Sequence, residues 1–140
     1  MPLAAQSSAV LAIAPPAKVL GKRNGVMEAK ITAQLRSGYH TNSNTPSEDF
    51  LIPLKLTWDA PPLQVADTIY PKPTKEKYEF SAKPLSVFTG DFDIITRFKV
   101  PANATPGLGI AAGKLRYQAC NDKACLPPKT VEFRLPYEIR

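Results

Sequence analysis

Four stretches of the chain alternate apolar and polar residues with a period of two. From Val26 to Arg36, Met27, Ala29, Ile31, Ala33 and Leu35 share one face, and Glu28, Lys30, Thr32, Gln34 and Arg36 share the other. From Phe50 to Trp58, Phe50, Ile52, Leu54, Leu56 and Trp58 share a face opposite Lys55 and Thr57. From Phe92 to Val100, Phe92, Ile94, Phe98 and Val100 oppose Asp93, Arg97 and Lys99. From Thr130 to Ile139, Val131, Phe133, Leu135, Tyr137 and Ile139 oppose Glu132, Arg134 and Glu138. Successive side chains of a strand point to opposite faces, so each pattern predicts a strand with one buried face. Weaker strand patterns fall near residues 9–13, 17–20, 65–70 and 109–119, and no stretch carries a convincing helical period. About seven or eight short strands divided by turn signals predict an all-β fold, an immunoglobulin-like antiparallel β-sandwich.

Two segments do not read as strands. One is the polar run Gly38 to Ser47, after the first strong strand. The other runs from Tyr70 to Gly90 and carries Pro71, Pro73, Pro84, four lysines and the aromatics Tyr78, Phe80 and Phe88. It is long for a sandwich connection, and long loops tend to be functional or mobile. Its aromatics read either as ordinary core plugs or as a cap laid over a reactive group.

Length and composition then narrow the picture. A chain of 140 residues, 44% hydrophobic, is long enough for one domain with a real core. The expected organisation is an N-terminal segment over 1–19, partly extended, and a single domain over 20–140. The 15 prolines are spread between apolar runs, which favours short strands with rigid connections over a disordered tail. The net charge of +6 comes from basic residues scattered singly along the strands. No basic stripe suited to nucleic acid is present. No apolar run reaches the roughly 18 residues that a membrane-spanning helix needs, so no membrane insertion is expected. Residues 1–14 are small and apolar without a basic flank, and read as a mature or trimmed N-terminus, the signal peptide being absent from the chain.

The candidate chemistry lies in the two cysteines, Cys120 and Cys125, five positions apart between two strand patterns. A disulfide here closes a ring of about six residues, and chain entropy gives such a bond roughly 2 kcal/mol, toward the low end for disulfides. The spacing alone leaves two readings open, a hairpin staple and an accessible redox pair. Along the 113–120 strand, Leu115, Tyr117 and Ala119 are expected to face inward. Lys114, Arg116, Gln118 and Cys120 are expected on the other face, where a partner could reach Cys120. Asn121-Asp122-Lys123-Ala124 are turn-formers, and Pro127-Pro128 remove two backbone donors and stiffen the exit. Lys123 favours a thiolate and Asp122 opposes it, so the loop itself predicts no strong activation. Lys129 and His40 are the candidates for further nearby charge.

His40 is the single histidine and reads first as a polar loop residue. With no second histidine and no zinc-type cysteine spacing, neither a metal site nor any cofactor is expected. Ser/His/Asp catalysis and phosphate loops have no local signature.

Lys114-Leu115-Arg116-Tyr117-Gln118-Ala119-Cys120, followed by Cys125-Leu126-Pro127-Pro128, resembles the N-terminal periplasmic domain of the thiol:disulfide interchange protein DsbD. Gly38-Tyr39-His40, Tyr70-Pro71 and Val100-Pro101 add to the likeness, which covers roughly residues 20–140. The resemblance implies a sandwich whose terminal hairpin carries a redox-active pair. It implies electrons received from a thioredoxin-like donor domain. They would pass to a periplasmic disulfide isomerase or a cytochrome c maturation thioredoxin-like acceptor. Cys125 would form the mixed disulfide and Cys120 would resolve it. Phe80, with Tyr78 as the alternative, would shield the pair. Tyr39, His40, Asp122 and Lys123 would border the site. The best-known members have five residues between the cysteines, where this chain has four. They also have a tyrosine-rich run where this chain has Tyr39-His40-Thr41-Asn42; of these, Tyr39 keeps the likeness. The family implies a periplasmic location and a fragment of a membrane-anchored protein or a stand-alone relative, since neither the membrane domain nor the thioredoxin-like domain lies within these residues. The rival is a non-enzymatic immunoglobulin-like binding or structural module with an inert disulfide.

Overall fold

The longest alternating patterns form the two facing sheets of a sandwich. The structure, a computed structural model, describes residues 9–140. Its strands are β1 (Leu11–Ile13), β2 (Val19–Gly21), β3 (Val26–Leu35), β4 (His40–Asn42), β5 (Lys55–Asp59) and β6 (Gln64–Ile69). They continue with β7 (Thr74–Glu76), β8 (Leu85–Thr89), β9 (Asp91–Lys99), β10 (Gly107–Tyr117), β11 (Ala119–Cys120) and β12 (Lys129–Ile139). No helix occurs among the described residues. One sheet has the order β1-β3-β9-β6 and the second β2-β12-β10-β5. All pairs are antiparallel except β2 with β12. The fold is an all-β, immunoglobulin-like sandwich.

The predicted inward residues fill the space between the sheets. Met27, Ala29, Ile31, Ala33 and Leu35 of β3 are buried, facing Leu115, Leu135 and Ile139 of the second sheet. Thr96 is in phase with the apolar face of β9 and is fully buried. Its hydroxyl accepts a 3.0 Å hydrogen bond from Trp58 Nε1, so a polar residue in the core is satisfied across the two sheets. Trp58 also meets Phe98 and Phe133 edge-to-face, at centroid distances of 5.1 and 5.3 Å. Gly113 pairs with Phe133, whose ring lies over the glycine, and a Cβ there would overlap it.

Three expectations change. The Phe50–Trp58 strand begins only at Lys55, and Phe50 is 79% exposed. Pro53 cannot donate to a ladder, and Leu54 N–H bonds instead to Ser43 O at 3.1 Å. The segments read as loops contain β4, β7 and β8, which join β11 in a third sheet of order β11-β4-β8-β7. Among the described residues that raises the strand count from the expected seven or eight to twelve. Leu85 to Phe88 of β8 and all of β4 are buried, so no alternation marks them; Phe88 is a core residue. Within the expected segment 1–19, residues 1–8 lie outside the described residues. From Leu11 the chain is part of the sandwich: β1 pairs with β3, Leu11 is core, and β2 pairs with β12.

Candidate active site

The site forms where the chain leaves one sheet for another. Up to Tyr117, β10 is paired with β12 and β5. After Gln118, Ala119 and Cys120 pair with Thr41 and His40 of β4. Gln118 holds the crossing: its Nε2 donates to Leu126 O at 3.2 Å, and its Oε1 accepts from Asn42 Nδ2 at 3.5 Å. Asn42 Nδ2 also donates to Ile52 O at 3.0 Å.

The hairpin tip closes on itself. Asn121 N–H donates to Ala124 O, and Leu126 N–H to Ala119 O, at 2.9 and 2.8 Å. Asn121 Oδ1 accepts from the backbone of Lys123 and Ala124, both at 2.9 Å, the local bonding that makes asparagine a turn residue. Cys120 and Cys125 are joined as a disulfide, with a Cα–Cα distance of 3.9 Å.

The two sulfur-bearing residues differ sharply in exposure. Cys125 is exposed, whereas Cys120 has 0% of its surface accessible. This corrects the expectation that a partner could reach Cys120. Ala119 packs in the core, so Cys120 does face away from it. Cys120 is nonetheless fully covered there, where β11 lies beside β4 in the third sheet.

His40 lies directly across the ladder from Cys120 and is 2% exposed, so it is a buried strand residue and not a loop histidine. Its ring stacks on Tyr78 at a centroid distance of 3.9 Å and an interplanar angle of 14°. Phe80 lies beside this pair with its ring near-parallel to both, 5.7 Å from Tyr78 and 6.3 Å from His40. The loop bearing these rings is tied internally: Ser81 N–H donates to Tyr78 O, and the Lys77 ammonium donates to Tyr78 O and Ser81 O. Phe80, 39% exposed, lines a cavity of about 320 Å³ together with Cys125, Phe50, Leu51 and Leu85. The expected cap aromatics are thus on the same side as the disulfide. Phe80 adjoins the outer cysteine and Tyr78 adjoins the histidine opposite the inner one.

A second hollow, about 540 Å³, is lined by Arg36, Tyr39, His40, Glu76, Tyr78 and Asp122 among others. Burial lowers the His40 pKa from its ordinary value, partly offset by the Glu76 carboxylate. Burial, the Glu76 charge and the bond from Tyr78 Oη to Glu76 Oε1 push the Tyr78 phenol up to about 12. Tyr78 therefore stays a protonated donor at neutral pH. Tyr39 is half-buried beside this hollow; Asp122 and Lys123 are exposed on the tip. Glu76 was not singled out from the sequence, since an isolated acidic residue in a lysine-rich segment carries no signal. Nor were Gln118 and Asn42, whose roles arise from a change of sheet.

The family model for the thiol:disulfide interchange protein DsbD, N-terminal, matches residues 12–136. The chain belongs to this family. Solved structures that share the fold include two periplasmic-type relatives of this family by their names. The N-terminal periplasmic domain of ScsB from Proteus mirabilis is 16% identical, with a TM-score of 0.58 over 84% of this chain. The chain spans 43% of that ScsB chain. The complex between the DsbD N-terminal and PilB N-terminal domains from Neisseria meningitidis is 14% identical, with a TM-score of 0.53, covering 87% of this chain and 80% of that one. No curated protein matches the sequence.

Proposed function

We propose that this domain is the reductase component of a periplasmic thiol–disulfide relay, exchanging electrons with partner proteins through Cys125 and resolving through Cys120. The observation that carries the reading is the unequal exposure of the two bonded residues. Exchange needs a thiolate to approach a disulfide sulfur, so the exposed residue suits attack by or on a partner. The enclosed residue suits the intramolecular step, which needs no outside access. In the reducing direction, reduced Cys125 attacks a partner disulfide, Cys120 closes on Cys125, and the partner leaves with two electrons. A thioredoxin-like donor reverses these steps to restore the dithiol. A thioredoxin-like acceptor or a disulfide isomerase suits the outgoing direction, and the DsbD–PilB complex supports partners of this kind.

The test is trapping. Cys120→Ala should accumulate a mixed disulfide with a thioredoxin-like partner through Cys125, and Cys125→Ala should not. Equal trapping through Cys120 reverses the assignment. The reduction potential separates exchange from an inert staple: a value well below about −300 mV, with no transfer from a thioredoxin-like donor, defeats the proposal.

A further inference from the structure

The resolving cysteine poses a chemical problem that its surroundings answer. Cys120 must become a thiolate to close the intramolecular bond, yet it has no accessible surface, and apolar burial disfavours a thiolate. Water cannot readily take its proton. The residue directly opposite it on the neighbouring strand is His40. Directly paired residues of antiparallel strands project side by side on one face, with Cβ atoms roughly 5 Å apart.

His40 Nε2 is buried and has no hydrogen-bond partner. Buried polar atoms are generally paired, so an orphaned imidazole nitrogen beside a redox cysteine calls for an explanation. We propose that His40 is the proton acceptor for Cys120 in the resolving step. This rests on the exchange reading above and adds a proton route to it.

The step balances as follows. In the mixed disulfide, Cys125 Sγ is bonded to the partner sulfur and Cys120 is a thiol. The Cys120 proton passes to His40 Nε2. The sulfur electron pair forms the Cys120–Cys125 bond as the Cys125–partner bond breaks. The departing pair stays on the partner sulfur, which takes up a proton. The domain is oxidised by two electrons and the partner is reduced by two. His40 then releases its proton to solvent through the hollow it lines.

The surroundings keep the imidazole in its accepting form. The charged and titratable groups facing it are Glu76 from β7, Tyr78 from the cap loop, Arg36 and Tyr39 from the turn before β4, Asp122 from the hairpin tip, and Cys120 itself. Thr89, its partner on β8, does not titrate. Burial outweighs the Glu76 charge, so the ring stays neutral at neutral pH.

Reaction of the reduced protein with Ellman's reagent reads both steps. Attack by Cys125 releases one thionitrobenzoate, and resolution by Cys120 releases the second. In the native protein the second phase should be nearly independent of pH from about 6.5 to 8 and fall in more acid solution as His40 protonates. His40→Phe keeps a ring to stack on Tyr78 and removes the nitrogens; His40→Gln is the polar control. Both should leave the first phase intact and slow the second at least about tenfold at pH 7. The remaining rate should climb about tenfold per pH unit, as expected of thiol ionisation alone. An unchanged second phase and pH profile in either folded variant overturns the inference. So does a native profile that already climbs tenfold per unit, which decides the matter even if neither variant folds. Loss of both phases in the native protein overturns the exchange reading itself, and this proposal with it.

Discussion

Cys120 and Cys125 share one bond and occupy opposite environments, the first enclosed on β11 beside β4, the second open at the hairpin tip. After reduction, iodoacetamide should therefore modify Cys125 well before Cys120. Mass spectrometry of peptides from a brief alkylation gives the order. Preferential labelling of Cys120 would move the attacking role to it.

Phe80 lines the cavity that opens on Cys125. Phe80→Ala should make the disulfide several-fold more reactive toward a small thiol such as dithiothreitol. Thermal stability should change little, because the side chain is already 39% exposed. Equal reduction rates for the two proteins would remove the shielding role.

His40 also links stability to pH. Its folded pKa lies below the ordinary value of 6.5, so the unfolded chain binds a proton first as pH falls. Stability is fully present above about pH 6.5 and declines as pH drops from there toward the lowered folded pKa. As His40 is the sole histidine, urea unfolding between pH 7 and 5.5 reports it with little interference. His40→Phe should flatten this slope, and an undiminished slope would mean that another group carries it.

The Trp58–Thr96 bond ties the two sheets together. Thr96→Val keeps the shape and leaves Trp58 Nε1 unpaired, at a cost of about 1–2 kcal/mol in urea unfolding. Thr96→Ser should retain most of the stability. If valine is as stable as threonine, the bond is energetically idle.

Gly113 lies beneath the Phe133 ring. Gly113→Ala should cost about 1–3 kcal/mol through overpacking, and pairing it with Phe133→Leu should recover part of the loss. Simple additivity of the two substitutions would argue against the contact.

The parts of the fold that were legible in the sequence are those with one wet face. β3, β9 and β12 alternate because their outer residues meet solvent, and their inward sets, such as Met27 to Leu35, form the core. β4 and β8 were invisible for the opposite reason. Leu85-Ser86-Val87-Phe88 are covered on both faces, and His40-Thr41-Asn42 are polar residues that are nonetheless buried. Burial of polar side chains depends on partners far away in sequence, such as the Ser43–Ser86 hydroxyl pair, and no local pattern encodes it. The cysteine motif is readable because its chemistry is local. The exposure of Cys120 does not follow from the sequence because parity tells which face a residue takes and not what covers that face, and the chain changes sheet at Gln118.

The third sheet places β11 and β7 on opposite edges, with β4 and β8 between them. At nearly 5 Å per strand spacing, the two edges are about 14 Å apart. The strand leading into the aromatic loop pairs with the sheet over Thr74–Glu76, opposite Leu85–Val87. Cys120 is paired with β4 at the other edge. The aromatic loop and the placement of Cys120 are thus carried by opposite edges of one four-stranded frame.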